Sequence, residues 1–199
     1  MQLPSERHLA TVAEYFRYEN AAENRHEYRN GEIIAMAGNT FPHSMIASNF
    51  IREFGNVMKG KSCRVLESNL RIGIPRSARY TYPDMSIICG KPEMDPKDPD
   101  GMTVTNPSVV VEILSPTTEA KDRGEKFIKY LQIESLQEYV LISQDAPRAE
   151  VFRRQKDGTW VFTFISGLDA RLRLESVQAE VALAELYDGV EFPPEDAAK

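Results

Sequence analysis

The chain has 199 residues, enough for one domain with a sizeable core and no need of disulfide or metal staples. Hydrophobic residues make up 42% and charged residues 27%, an ordinary globular composition that excludes general disorder. With 24 Lys plus Arg against 30 Asp plus Glu, the net charge of −6 excludes a surface built wholly to coat nucleic acid or an anionic membrane, though not a local basic groove.

The two cysteines, Cys63 and Cys89, have no CxxC spacing and suggest no disulfide framework, which fits a reducing interior. Residues 1–7 lack an apolar signal core, and no apolar run approaches membrane-spanning length. A cytoplasmic protein without a membrane partner is therefore expected.

In chain order, Thr11 and Glu14 form a capping box that starts a first helix, fading over residues 20–24. Asn30-Gly31 between two short runs marks a hairpin. Residues 41–59 read as a second helix, with Met45, Ile46, Phe50, Phe54, Val57 and Met58 at helical spacing and Gly60 as a stop. Strands follow over 63–66, 70–74 and 80–89. The next stretch, 90–107, carries four prolines and an acidic segment and reads as a loop. Residues 108–114 have the apolar continuity of a strand buried on both faces. A third helix over 118–133, a buried strand over 138–143, and a hairpin of 148–154 and 160–165 around Lys156-Asp157-Gly158 come next. A short strand at 172–174 and a helix at 181–187 close the chain. No internal repeat or linker is evident, so residues 1–190 form one α/β domain with an acidic tail at 191–199.

Two acids sit where the pattern calls for apolar residues. Asp84 interrupts Tyr82-Pro83-Asp84-Met85-Ser86-Ile87-Ile88, and Glu112 interrupts Val109-Val110-Val111-Glu112-Ile113-Leu114. An ionised carboxylate in an apolar strand is costly unless paired, hydrogen-bonded or bound to a metal. If the strands are neighbours, both can converge at one end, where two oxygen donors plus waters suit Mg²⁺. The plainer accounts are a turn residue for Asp84 and a strand-end salt bridge for Glu112. On the third helix Asp122, Lys126 and Tyr130 are spaced four apart and share a face, as an ordinary Asp–Lys pair would also do.

Taken in order, Pro83-Asp84, Val111-Glu112-Ile113-Leu114-Ser115-Pro116, Asp122-Arg123-Gly124-Glu125-Lys126 with Tyr130, and Glu138-Tyr139-Val140-Leu141 resemble the Uma-type restriction endonuclease family of the PD-(D/E)XK superfamily. The hairpin His26-Glu27-Tyr28-Arg29-Asn30-Gly31-Glu32 and the helix carrying His43 resemble it too, and the likeness spans about residues 10–190. It implies a mixed α/β fold with a restriction-endonuclease-like core of helix, three strands, helix and strand. An N-terminal helix and hairpin and extra C-terminal strands would surround that core. It also implies Mg²⁺-dependent hydrolysis of DNA phosphodiester bonds, with Mn²⁺ as a substitute. Asp84 and Glu112 would hold the metal, with a backbone carbonyl near Ile113, and Lys126 would assist. The superfamily pattern places a lysine two residues after Glu112, where this chain has Leu114. The family is held to move that basic residue to the next helix, making Lys126 the candidate and Lys129 its alternative.

Glu27 can add a carboxylate near the metal or be a hairpin-edge charge. His43 can carry a proton or ligate, or simply cap and pack. His8 and His26 read as surface residues, and Tyr15, Phe16, Tyr18 and the hairpin around Trp160 read as core. The competing functions are a nuclease fold kept as a non-catalytic nucleic-acid-binding or interaction module, and a metal-dependent hydrolase acting on something other than DNA. A homodimer is expected because two sites related by a twofold axis are the simplest means of cutting both strands. By segment, residues 175–199 hold seven acids and one base, whereas residues 52–79 hold seven bases and two acids and form the candidate phosphate-facing surface.

Overall fold

The computed structural model describes residues 9–116 and 118–192. Helix α1 (Val12–Glu19) starts on the expected capping box at Thr11 and Glu14 and stops at Asn20. The hairpin β1 (His26–Arg29) and β2 (Glu32–Ala35) turns on Asn30 and Gly31, both at positive φ (49° and 96°), the backbone this tight turn demands. Helix α2 (Phe41–Val57) is capped by Thr40, whose side chain accepts from the His43 N–H. It leads to β3 (Cys63–Glu67), β4 (Arg71–Ile74) and β5 (Arg79–Thr81).

The expected long strand over 80–89 is two strands in different sheets, β5 and β6 (Met85–Cys89), split at Tyr82-Pro83-Asp84. Pro83 has no N–H to give a ladder, and the Asp84 side chain bonds to another strand. Inside the expected loop, β7 (Thr103–Val104) pairs parallel to β4. Strand β8 (Val109–Leu114) is buried at every position. The third helix is interrupted: α3 (Glu119–Lys121) runs into a π-helical turn (Asp122–Lys126) and then α4 (Phe127–Tyr130). β9 (Glu138–Ser143), β10 (Arg148–Arg154) and β11 (Trp160–Ser166) follow. The chain closes on β12 (Arg171–Leu174), β13 (Ala179–Ala182) and α5 (Leu183–Leu186). The helix expected at 181–187 therefore begins as a strand, which pairs with β12 and brings Val181 into the core.

The central sheet has the order β11-β10-β9-β8-β6-β3. β3, β6 and β8 form an antiparallel meander, and the 119–130 helical segment crosses over to β9, parallel to β8. This is the expected succession of helix, three strands, helix and strand. Odd residues of β8 (Val109, Val111, Ile113) pack with α2 and the C-terminal elements. The even residues Val110 and Leu114 pack on the opposite face with Tyr130, Ile133 and Leu136. Glu112 shares that second face by alternation. Phe50 and Phe54 stack at 4.4 Å and are fully buried, so truncating either to Ala would cost about 3–5 kcal/mol. A second sheet, β2-β1-β5-β4-β7, lies beside the first, with Tyr15, Phe16, Tyr28 and Tyr80 as its own aromatic cluster.

Several sequence expectations are corrected here. Cys63 and Cys89 are register partners on β3 and β6, with Cα atoms 4.0 Å apart, and form a disulfide. Strand pairing brings together two residues 26 apart in sequence. Tyr18 is 50% exposed rather than core. His26 is half-buried and pairs its Nδ1 with Glu19 Oε2 at 3.0 Å. His8 and residues 193–199 of the acidic tail lie outside the described residues. No helix among the described residues is long and apolar enough to cross a membrane.

Candidate active site

A cleft of about 410 Å³ opens where the meander, the π-helical turn and the β1–β2 hairpin meet. Asp84 enters it from the link into β6, and Glu112 from β8. The Ile113 N–H donates to Asp84 Oδ2 at 2.7 Å, which ties the acid to the strand that carries the other one. His43, in the first turn of α2, approaches the same oxygen with Nε2 at 3.1 Å. A carboxylate partner places the imidazole proton on Nε2, while Nδ1 is buried without a hydrogen bond among the described residues.

Glu112 is 3% exposed and accepts from the Tyr130 hydroxyl at 3.0 Å on Oε1. Lys126 Nζ lies 2.7 Å from that oxygen, 3.6 Å from Asp122 Oδ1 and 3.9 Å from Glu27 Oε1. Glu27 also accepts from Thr81 Oγ1 and pairs with Lys121 Nζ at 2.7 Å. All five residues singled out in the sequence (Asp84, Glu112, Lys126, Glu27 and His43) thus line one cleft. Lys129 does not line it. The π-helical turn falls on the segment carrying Asp122 and Lys126, and such wider turns are frequent at functional sites.

The charges are unevenly balanced. Burial pushes the Glu112 carboxyl up to about 8, helped by Asp122 and Asp84 and opposed by Lys126. Burial also raises Asp122. Desolvation opposes the charge on Lys126, but Glu112, Glu27 and Asp122 outweigh it and hold the ammonium well above its ordinary range. Glu27 goes the other way: burial raises it, yet Lys126 and Lys121 pull it down to about 2.

Among the described residues no three or more His, Cys, Asp or Glu side chains gather tightly enough to hold a metal by themselves. Asp84 and Glu112 make a two-carboxylate set, which fits Mg²⁺, an ion held by one or two carboxylates while keeping several waters. The protein contacts to Asp84 fall on Oδ2 and those to Glu112 on Oε1, so each acid is oriented through one oxygen. A nearby cation would also offset the repulsion from Asp122 and Asp84 that adds to burial in raising Glu112.

The sequence did not single out Lys121 or Thr81, and it offered Tyr139, whose hydroxyl donates to the Asp122 carbonyl at 3.0 Å, only as part of the Glu138-Tyr139-Val140-Leu141 motif. Thr81 precedes the Tyr82-Pro83-Asp84 motif, and adjacency to that motif was its signal. Lys121 has none, because it ends α3 outside the Asp122–Lys126–Tyr130 spacing and only the tertiary fold sets it beside Glu27. The basic stretch 52–79 does not form one basic surface beside the cleft. Arg71 and Arg79 are each 2% exposed, Arg76 pairs with Glu134 and Arg52 with Glu53, and none of the seven lines the cleft. Of the C-terminal hairpin, Trp160 packs edge-on against Phe127 and takes Arg154 over its ring, but Phe162 and Phe164 are more than half exposed.

Residues 12–185 match the model of the Uma2 family, described as "Putative restriction endonuclease". Two uncharacterized proteins of Synechocystis sp. are similar: one is 36% identical over 90% of this chain and 92% of its own, the other 34% identical over 82% and 92%. A crystal structure from Anabaena variabilis, described as a putative nuclease belonging to DUF820, superposes with a TM-score of 0.70. That likeness covers 89% of this chain and 97% of the other at 22% identity, a likeness of fold. The family match and the mixed sheet with its helix–three strands–helix–strand core converge: the chain belongs to the Uma2 family and has a restriction-endonuclease-like fold.

Proposed function

We propose that this protein is an Mg²⁺-dependent endonuclease that hydrolyses phosphodiester bonds of DNA, with Mn²⁺ able to substitute. The observation that carries this reading is the convergence of Asp84, Glu112 and Lys126 in one cleft, with Lys126 Nζ 2.7 Å from Glu112 Oε1. Asp84 and Glu112 would hold the ion. When bound, it would polarise the phosphate and lower the pKa of an attacking water.

The chain's own groups then have separable tasks. The Ile113 N–H and His43 fix the Asp84 carboxylate, and Tyr130 fixes Glu112. Lys126 keeps its proton and presents a buried positive charge to the negative charge that builds on the phosphate oxygens, where low dielectric strengthens the attraction. Glu27 and Lys121 hold the far side of the ammonium's surroundings. Leu114, which occupies the strand position of the superfamily lysine, is packed in the core, and the charge comes instead from the helix-borne Lys126.

The test is incubation of purified protein with supercoiled plasmid, linear duplex and single-stranded DNA in Mg²⁺ and Mn²⁺. Cleavage by wild type and its loss in Asp84→Ala are expected. No cleavage of any DNA form would overturn the reading. A second reading, a nuclease fold that binds nucleic acid without cutting it, is favoured by the three carboxylates that already surround Lys126. It requires DNA binding that survives both Asp84→Ala and Glu112→Ala in a protein that never cleaves.

A further inference from the structure

Arg29 on β1 and Arg79 on β5 are directly opposed cross-strand partners. Like charges so placed repel unless an anion lies between them. That anion is Glu125, from the π-helical turn: Oε2 lies 3.1 Å from Arg29 Nη1 and Oε1 3.0 Å from Arg79 Nη1. The arrangement is poorly satisfied. Arg79 is 2% exposed, yet none of its three guanidinium nitrogens makes a hydrogen bond among the described residues, and the Nε of Arg29 is likewise unpartnered. Buried donors left unpaired are costly, and a single carboxylate cannot saturate two guanidinium forks. Glu125 itself is 45% exposed, so the anion that holds these arginines is the part of the group that faces solvent.

The pair is also well placed. Glu27 and Arg29 are two apart on β1, and Thr81 and Arg79 two apart on β5, so the arginines share a sheet face with the Glu27–Thr81 contact that borders the cleft. They stand one rung farther along, roughly 7 Å for two residues of strand. From this we infer that Arg29 and Arg79 form a docking subsite for a backbone phosphate of the DNA that runs past the cleft. Glu125 occupies the subsite in the free protein and yields it to the phosphate. The inference rests on the nuclease reading for its ligand, but on separate residues for its geometry. A backbone phosphodiester carries the same single charge on two oxygens as Glu125, so it can take the carboxylate's place between the two guanidinium groups without recruiting a helix side chain.

The experiment measures binding of a labelled 20-base-pair duplex in EDTA, where no cleavage occurs, across a salt series. Glu125→Gln removes the competing anion and is expected to tighten binding roughly threefold or more, the release of an exposed ion pair. Arg29→Gln is expected to weaken binding and to reduce the slope of log affinity against log salt by about one. In the double variant Arg29→Gln/Glu125→Gln, most of the gain from Glu125→Gln should vanish. Inorganic phosphate should raise the unfolding temperature of Glu125→Gln more than that of wild type, a readout independent of DNA. The subsite is overturned if Glu125→Gln binds no tighter, or if its gain persists undiminished without Arg29, which would mark a general charge effect. Binding of this pattern without cleavage in Mg²⁺ or Mn²⁺ would retire the catalytic reading and leave the subsite standing. Cleavage with indifference to Glu125→Gln would do the reverse.

Discussion

Among the ion-pair networks of the described residues, the one around Arg71 and the one around Lys126 are both buried and are built on opposite plans. Arg71 hydrogen-bonds through Nε to Thr103, through Nη1 to Tyr82 and through Nη2 to Asn20 and Asp98, with its guanidinium over the Phe16 ring at 4.8 Å. Its partner Asp98 also accepts from the Thr103 hydroxyl and the Met102 N–H. Although burial alone would raise Asp98, these donors hold it down to about 2. Lys126 instead faces three acids, and the nearest, Glu112, is driven up to about 8. A network in which every donor and acceptor is matched fixes a structure. One with surplus acid along a cleft is prepared for a charge that arrives from outside.

The largest effect that would separate the two is on cleavage. Asp84→Ala and Glu112→Gln should each lower DNA hydrolysis by about 10³-fold, roughly 4 kcal/mol of transition-state stabilisation. Measured at pH 5, where the Glu112 carboxyl holds its proton, Glu112→Gln should barely change stability, because Lys126 keeps Asp122 and Glu27 as partners. Arg71→Met should do the opposite. It leaves Asp98 charged and buried, and chemical denaturation should show a loss of about 3 kcal/mol. Equal stability losses at the two sites would erase the distinction.

The elements that carry this comparison were unequally legible in the amino-acid sequence. Asp84 and Glu112 stood out because each breaks an apolar run, and Lys126 because it shares a helical spacing with Asp122 and Tyr130. Such signals are local. What brings Lys121 to Glu27 is the approach of the 119–130 helical segment to β1, and what buries Arg71 and Arg79 is that β4 and β5 are buried at every position. A run of seven bases states a net charge and not where the side chains point, so the stretch 52–79 looked like a surface. Cys63 and Cys89 failed to announce their bond for the same reason, since strand register and not sequence spacing makes them neighbours.

Metal addition sharpens the contrast at the next level of size. An ion held by Asp84 and Glu112 binds only the folded chain. At a hundred times its dissociation constant Mg²⁺ or Mn²⁺ should therefore stabilise the wild type by about 2.7 kcal/mol, read as a concentration-dependent rise in unfolding temperature. The double variant Asp84→Ala/Glu112→Gln should show no such rise, whereas Arg71→Met, though weakened overall, should respond as the wild type does. A rise that survives in the double variant would place the ion elsewhere.

The smallest effect is the dependence of stability on pH in the metal-free protein, where the two networks should pull in opposite directions. Asp98 and Glu27, both held down to about 2 in the folded chain, contribute stability that is present above their ordinary carboxyl range. That contribution fades as the pH falls from about 5 toward 2, because the unfolded chain then binds protons that the folded chain refuses. Glu112, raised to about 8, has the reverse sign. Its folded form binds a proton that the unfolded chain has released, so its contribution is complete below about 4.5 and is lost as the pH rises through 8. Stability should therefore peak near pH 5 and decline by on the order of 2 kcal/mol toward pH 8. Glu112→Gln should flatten that alkaline decline and leave the acid limb intact, while Asp98→Asn should blunt the acid limb alone. Urea denaturation at half-unit steps from pH 3 to pH 9 reads both limbs in one series. An alkaline decline that persists unchanged in Glu112→Gln would mean that the surplus acid of the cleft is not stored on Glu112.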